Sequence, residues 1–301
     1  MSTLLIVRTL LAALLLVSAV AVGSCGAAAD SKQAPQAAAQ LRPCGRPGSR
    51  PARYDHVVWI VMENKSYSQA TGPSSAPFMS RLGASCGVAT NFYAESHPSL
   101  PNYLAMTSGS THGVHDDAPP SAHPISGPSI FSQLNGNWRA LQESMARPCQ
   151  KSNFSKYAVK HNPVIYYTNL GRSCLRRDVS LTTPPDLSAR FTFITPNLCN
   201  DTHDCSISVG DRFLSGLVTE IVQGPQYRAG RTALFITYDE DNHHAGNHIL
   251  TVVVAPHVRA GTRSATRFTH YSLLGTTEQM LGLKKLGAAS SASSMRAAFG
   301  L

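Results

Sequence analysis

Residues 56–67 read HVVWIVMENKSY. The first seven form an unbroken apolar run rich in β-branched residues, the pattern of a strand covered on both faces. A carboxylate and an amide, Glu63 and Asn64, follow it with no turn residue between. Three comparable runs come late in the chain: FTFIT at 191–195, TALFITY at 232–238 and ILTVVVA at 249–255. Helical spacing lies between these runs. In SIFSQLNGNWRALQESM, 129–145, the residues Ile130, Leu134, Trp138, Leu141 and Met145 fall on one face, and Ser129 suits the N-cap, so a helix is predicted there. DRFLSGLVTEIVQGP spaces Phe213, Leu217 and Ile221 in the same way and stops at Gly224-Pro225. A further helix is expected over 272–282. Buried strands alternating with amphipathic helices predict an α/β layered fold with a largely parallel sheet. In such sheets the site lies at the carboxyl ends of the strands.

Two of those strands end in acid. Glu63 and Asn64 offer hard oxygen ligands at the first strand's tip. The run 232–238 leads directly into DEDNHH, so Asp239 and Glu240 stand at a second tip. Read singly, each is a helix cap or a solvated acidic loop. Read together, they are like charges brought to one sheet edge, and a divalent metal would relieve their repulsion. Asp201, His203 and Asp204 sit in CNDTHDC, 199–205, a loop that a disulfide would hold rigid. A zinc site on both cysteines is the rival, disfavoured where thiols are oxidised.

The stretch SHPSLPNY, 96–103, supplies a nucleophile. A helix can start near Asn102, with Pro101 suited to its first turn, which places Ser99 just before a helix N-terminus that favours anions. Beside a metal its hydroxyl could lose its proton and attack phosphorus. His97 is then a ligand, a base or a leaving-group acid, and Asn102 a phosphate-binding partner.

ENKSY, HPSLPNYLAMTSG, KHNPVIYY, NDTHDC, ITYDED and THYSLLGTTEQMLGL, taken in order, resemble the bacterial and fungal phosphoesterase family that holds acid phosphatases and phospholipases C of the phosphatidylcholine type, within the alkaline phosphatase-like superfamily. The resemblance covers most of 54–283. It implies a three-layer α/β/α sandwich and metal-dependent hydrolysis of phosphate mono- or diesters. It implies that Glu63, Asn64, Asp239 and Glu240 hold the metal, that His161 and Asn162 contact phosphate, and that His203 and Asp204 stand near the reacting oxygens. Asp201 and His270 are further site residues. Related two-zinc enzymes use several Asp and His ligands; here Glu63 ends the first strand and Glu240 follows Asp239, so one metal of unspecified identity is expected. The chain ends soon after 283, which suggests a compact phosphatase or phosphodiesterase without the C-terminal domains of large phospholipases C.

The 301-residue chain opens with Arg8 and an apolar stretch, the form of an export signal over 1–24. VGSC at 22–25 resembles a lipoprotein signal, in which Cys25 would carry lipid and attach the protein to a membrane; ordinary cleavage near GAAA is the alternative. Residues 25–53, rich in Ala, Gln, Pro and Gly, read as a tether, and 54–301 as one catalytic domain. Six further cysteines in an exported chain favour disulfides. Sequence proximity suggests Cys44–Cys86, Cys149–Cys174 and Cys199–Cys205. The net charge of +9 suits phosphate-bearing partners, but no basic run interleaved with aromatics argues for nucleic acid. Two other classes compete with this reading. GASCG, 83–87, matches the serine-esterase G-x-S-x-G pattern, but a helix end precedes it and a strand follows, the inverse of the required context. A non-catalytic surface-binding protein would be expected to have lost some of Ser99 and the carboxylates.

Overall fold

The computed structural model describes residues 41–301. The export signal, Cys25 and the first part of the expected tether lie outside the described residues. The end of that tether, 41–53, departs from its composition. Cys44 is bridged to Cys86, and Gly45 N–H and Arg46 N–H donate to Val258 O and Pro256 O, each at 2.8 Å. A covalent link and paired backbone groups hold this Pro- and Gly-rich stretch against the domain.

The nine strands among the described residues form one sheet. They are β1 (His56–Met62), β2 (Gly87–Tyr93), β3 (Trp138–Gln142), β4 (Asp178–Ser180), β5 (Phe191–Thr195), β6 (Thr232–Tyr238), β7 (His248–Val254), β8 (Thr262–Ser264) and β9 (Phe268–Thr269). The order is β4-β3-β5-β1-β6-β7-β2-β8, with β9 also on β2. Every pairing is parallel except those of β7 with β6 and β2. The four apolar runs of the sequence are thus β1, β5, β6 and β7. Central β1 buries every residue but His56, which explains why its sequence lacks alternation.

Four longer helices cover the sheet: α1 (Pro77–Ser85), α2 (Ser99–Ser108), α3 (Ile207–Gln223) and α4 (His270–Leu281). Side-chain alternation along β1 shows that they lie on both faces. Trp59 Nε1 donates to Thr277 of α4 at 3.0 Å on one side. On the other, a Cβ built on Gly210 of α3 would stand 3.1 Å from Met62 Cε. Trp59 is packed edge-on against Phe191 at 4.8 Å, at the centre of the core. The result is the α/β/α sandwich with a mostly parallel sheet.

The helix predicted over 129–145 does not form. Ser129 does cap a helix, with Oγ accepting from Ser132 N–H at 3.3 Å, but that helix covers only Ile130–Gln133. Asn135 and Gly136 then take left-handed φ values of 44° and 83° and turn the chain. Trp138–Gln142 runs on as β3, paired with β5. Asn-Gly is a turn signal that outranks the apolar spacing across it. Helix α2 also begins at Ser99 rather than Asn102, and it ends at Gly109, whose φ of 75° suits a C-cap.

The three disulfides among the described residues join the cysteines paired by proximity. GASCG sits where α1 ends and β2 begins, with Cys86 bridged, so the esterase arrangement is absent.

Candidate active site

The register of β1 on β6 sets Met62 opposite Tyr238. The residues that follow, Glu63 and Asp239, are therefore side by side at the sheet's carboxyl edge, and Asp239 N–H donates to Met62 O at 2.9 Å. β2 is parallel to both, so the chain leaving Tyr93 reaches the same edge and carries His97 and Ser99 there. Ser99 is the first residue of α2 and is buried. Its Oγ donates towards Glu63 Oε2 at 3.2 Å and Glu240 Oε1 at 3.4 Å.

The carboxylates have fixed supports. Glu63 Oε1 accepts from Tyr103 Oη, one turn into α2. Asp239 Oδ1 accepts from Asn64 N–H at 3.2 Å, and Asn64 takes a left-handed φ of 56° to present it. The Asn64 side-chain amide lies 3.3 Å from Glu63 Oε2 and 3.1 Å from Glu240 Oε1. Glu240 Oε2 is 2.7 Å from His97 Nδ1. His97 Nε2 is 3.2 Å from Asp241 Oδ1, and the ring stacks on His243 at 3.9 Å.

A second group comes from the loops after β3 and β5. The His161 ring stacks on Tyr103 at 5.4 Å. It lies 3.3 Å from Glu63 Oε1 through Nε2 and 3.4 Å from Asp201 Oδ2 through Nδ1. The loop bridged by Cys199–Cys205 gives Asp201 and His203, with His203 N–H donating to Asp201 Oδ1 at 2.8 Å. Half-exposed Asp204 holds His203 Nδ1 at 2.6 Å. Glu63, His161 and His203 each place one ligand atom within 4.8 Å of the others.

Burial dominates the electrostatics. Glu63 is pushed well above the usual carboxylate range by desolvation and by the charges of Asp239 and Asp201. Asp239 and Asp201 are each raised to about 7, chiefly by desolvation. Glu240 is raised to about 9, by desolvation and then by Asp239. Burial holds His161 well below the usual histidine range. Such a cluster is unfavourable as bare charge.

These residues fit a divalent cation. Asp239 Oδ2, Asp201 Oδ2 and His161 Nε2 are buried without a hydrogen-bond partner. Three carboxylates and a side-chain amide converge around Ser99, a hard-oxygen set of the kind such cations take. Cys149, Cys174 and Asp178 also cluster, but their thiols are joined in a disulfide and offer no thiolate.

Three expected residues have other partners. Asn102 Oδ1 accepts from Glu95 and Ser96 N–H, both at 3.0 Å, and its Nδ2 donates to Ser96 O at 2.8 Å; it clamps the loop before Ser99. Asn162 Nδ2 donates to Asp178 Oδ2 at 2.9 Å and Tyr157 Oη at 3.0 Å. Buried His270 Nε2 lies 2.6 Å from Asp239 O, so it braces the backbone that carries the Asp239 carboxylate. Both asparagines are placed by hydrogen bonds that motif position does not reveal.

Three further residues join the site without a sequence expectation: Asp117, Lys160 and Tyr103. Asp117 Oδ1 accepts from Leu100 N–H at 2.9 Å, at the start of α2, and its Oδ2 accepts from Lys160 Nζ at 2.9 Å. Lys160 thereby stands as a cation beside the acidic cluster. It precedes His161 in KHNP, which was its only sequence signal. Tyr103, supporting Glu63, was visible only as a helix residue.

A family model described as "Phosphoesterase family" matches residues 72–284. The chain is similar to the "Phosphatidylinositol-3-phosphatase" of Mycobacterium tuberculosis, with 33% identity over 79% of this chain and 81% of that protein. It is also similar to the "Acid phosphatase" of Aspergillus fumigatus, with 30% identity over 76% of this chain; the match spans only 55% of the fungal protein. A crystal structure of a protein in the alkaline phosphatase superfamily from Vibrio parahaemolyticus shares the fold, with TM-score 0.55 and 12% identity over 80% of this chain and 69% of that one.

Proposed function

The chain belongs to the phosphoesterase family, and we propose that it is an exported, metal-dependent phosphatase whose nucleophile is Ser99. The observation that carries this reading is the Ser99 hydroxyl, buried at the start of α2 and 3.2 Å and 3.4 Å from two carboxylates that follow adjacent strands. Glu63, Asn64, Asp239 and Glu240 would hold a divalent cation. When bound, it would neutralise the carboxylates, favour the serine alkoxide and draw electron density from the phosphoryl group.

The chain's own residues supply the remaining roles. Glu63 and Glu240 orient the Ser99 Oγ–H and accept its hydrogen bond, which aims the oxygen lone pairs at an incoming phosphorus. As Oγ attacks, its proton passes to the carboxylate that accepts its hydrogen bond, the Ser99–phosphorus bond forms and the bond to the leaving alcohol or phenol breaks. His203, oriented by Asp204, protonates the leaving oxygen. On the return step the now neutral His203 deprotonates a water, whose oxygen bonds to phosphorus as the Oγ–phosphorus bond breaks, and the carboxylate returns its proton to Ser99 Oγ, releasing phosphate. Lys160 offsets the anionic charge of the phosphoryl group, and His161 bounds the same space. His97 fixes Glu240.

The relatives bear the names of phosphatases, which favours monoesters over the phospholipase C-type diester reading. Among the described residues no helix is long and apolar enough to cross a membrane. Export rests on the N-terminal signal pattern and the three disulfides. The test is a panel of phosphate mono- and diesters assayed with a series of added divalent metals, with and without chelator. Metal-restored monoester hydrolysis is the expected result. Turnover indifferent to chelation would remove the metal from the mechanism.

A further inference from the structure

The large hydrophobic side chains exposed among the described residues are Phe154, at 52%, and Leu175, at 58%. Both lie on one stretch after β3, and the Cys149–Cys174 disulfide staples its two ends together. That stretch, 147–177, holds seven basic residues and no Asp or Glu. Arg147, Lys151, Lys156, Arg172 and Arg176 are exposed and form no ion pair among the described residues. Apolar tips flanked by unpaired cations are the composition of a surface that seats at a lipid headgroup layer.

The Phe154 turn is built firmly and close to the site. Phe154 caps a tight turn closed by paired bonds, Phe154 N–H to Tyr157 O at 3.1 Å and Tyr157 N–H to Phe154 O at 2.8 Å. Tyr157 Oη donates to Gln150 O at 2.8 Å, which ties the turn to the disulfide. On the other side Asn153 Oδ1 accepts from Val159 N–H at 2.8 Å, two residues before His161. Lys156 O accepts from Leu198 N–H at 3.0 Å, beside the loop that carries Asp201 and His203. A surface seated through Phe154 would lie next to the candidate site.

We propose that the stapled segment 147–177 docks this protein on anionic lipid membranes, with Phe154 entering the interface and the basic side chains meeting lipid phosphates. The proposal does not depend on the catalytic reading. Phe154→Trp supplies the probe and keeps a large aromatic at an exposed position. The native Trp59 and Trp138 are wholly buried and do not sense vesicles. With phosphatidylcholine vesicles containing phosphatidylglycerol, the new indole's emission should move to the blue and be quenched by brominated acyl chains. Pure phosphatidylcholine vesicles should leave it unchanged, and added salt should reverse the effect. In the same chain, replacing Lys151, Lys156, Arg172 and Arg176 by Gln should weaken partitioning about fivefold per charge removed at low salt. An indole that stays red and unquenched on anionic vesicles overturns the proposal, even if the chain sediments with them through another segment. So does an equal response to neutral vesicles.

Discussion

The Ser99 hydroxyl donates to Glu63 Oε2 at 3.2 Å across a separation of 36 residues. β1 delivers the acceptor and the N-terminus of α2 delivers the donor, so the bond exists only once strand and helix are packed. Ser99→Ala should lower aryl phosphate turnover at least about a thousandfold, while metal content and melting temperature stay near those of the parent. Near-normal turnover would take Ser99 out of the chemistry.

Asp239→Asn should act in opposite directions on two measurements. Metal content, read by elemental analysis, should fall. Stability of the metal-free protein should rise at high pH. In the folded, metal-free state Asp239 is raised from 3.8 to about 7. A carboxylate raised in this way contributes full stability below its unfolded value, and that contribution is lost as pH climbs through the window from about 4 to about 7. The variant lacks this loss. Chelated parent and variant melted across that window should therefore diverge, with the parent weaker at the upper end.

Tyr103 touches the reacting groups only through Glu63. Tyr103→Phe removes the Oη donor and keeps the ring that stacks on His161. Metal affinity should drop about 10- to 100-fold, as when an outer-shell partner is lost. Turnover at saturating metal should be largely restored. Unchanged affinity in a metal titration would assign Tyr103 to packing alone.

Lys160→Gln should act on binding more than on chemistry. A hydrogen bond from a cation to an anionic ligand is worth about 1.5 kcal/mol, roughly tenfold in KM. Steady-state kinetics should show KM raised and kcat nearly kept. A fall in kcat with KM unmoved would place Lys160 in the transition state alone.

Asp178 gives a stability switch behind the site. It is fully buried, its carboxyl is raised to about 7 by desolvation, and Asn162 Nδ2 is its polar side-chain partner. The sign is the same as for Asp239: stability is lost as pH rises from about 4 to about 7. Asp178→Asn should flatten that loss, on the order of a few kcal/mol. Denaturant melts of both proteins at the two ends of the window measure it, and parallel curves would refute it.

The sheet was legible wherever burial on both faces forced an unbroken apolar run. Strands β1, β5, β6 and β7 follow from that alone, and the acids directly after β1 and β6 follow from their abruptness. Cysteine proximity matched all three bridges. Strands β4, β8 and β9, of three residues or fewer, carry too little pattern to be read. β3 does not stand out in the sequence because Trp138 and Leu141 fit helical spacing, and only the Asn-Gly turn breaks it. Local chemistry therefore determined that Glu63, Asp239 and Ser99 stand at the ends of buried elements. The tertiary structure alone decided that β1 and β6 are neighbours in register, that Asn102 and Asn162 are used up as braces, and that Asp117 and Lys160 stand beside the helix carrying Ser99. Each of those depends on which groups the folded chain brings together in water-poor space. A polar side chain's role there is set by whichever partner reaches it, which its sequence neighbours do not encode.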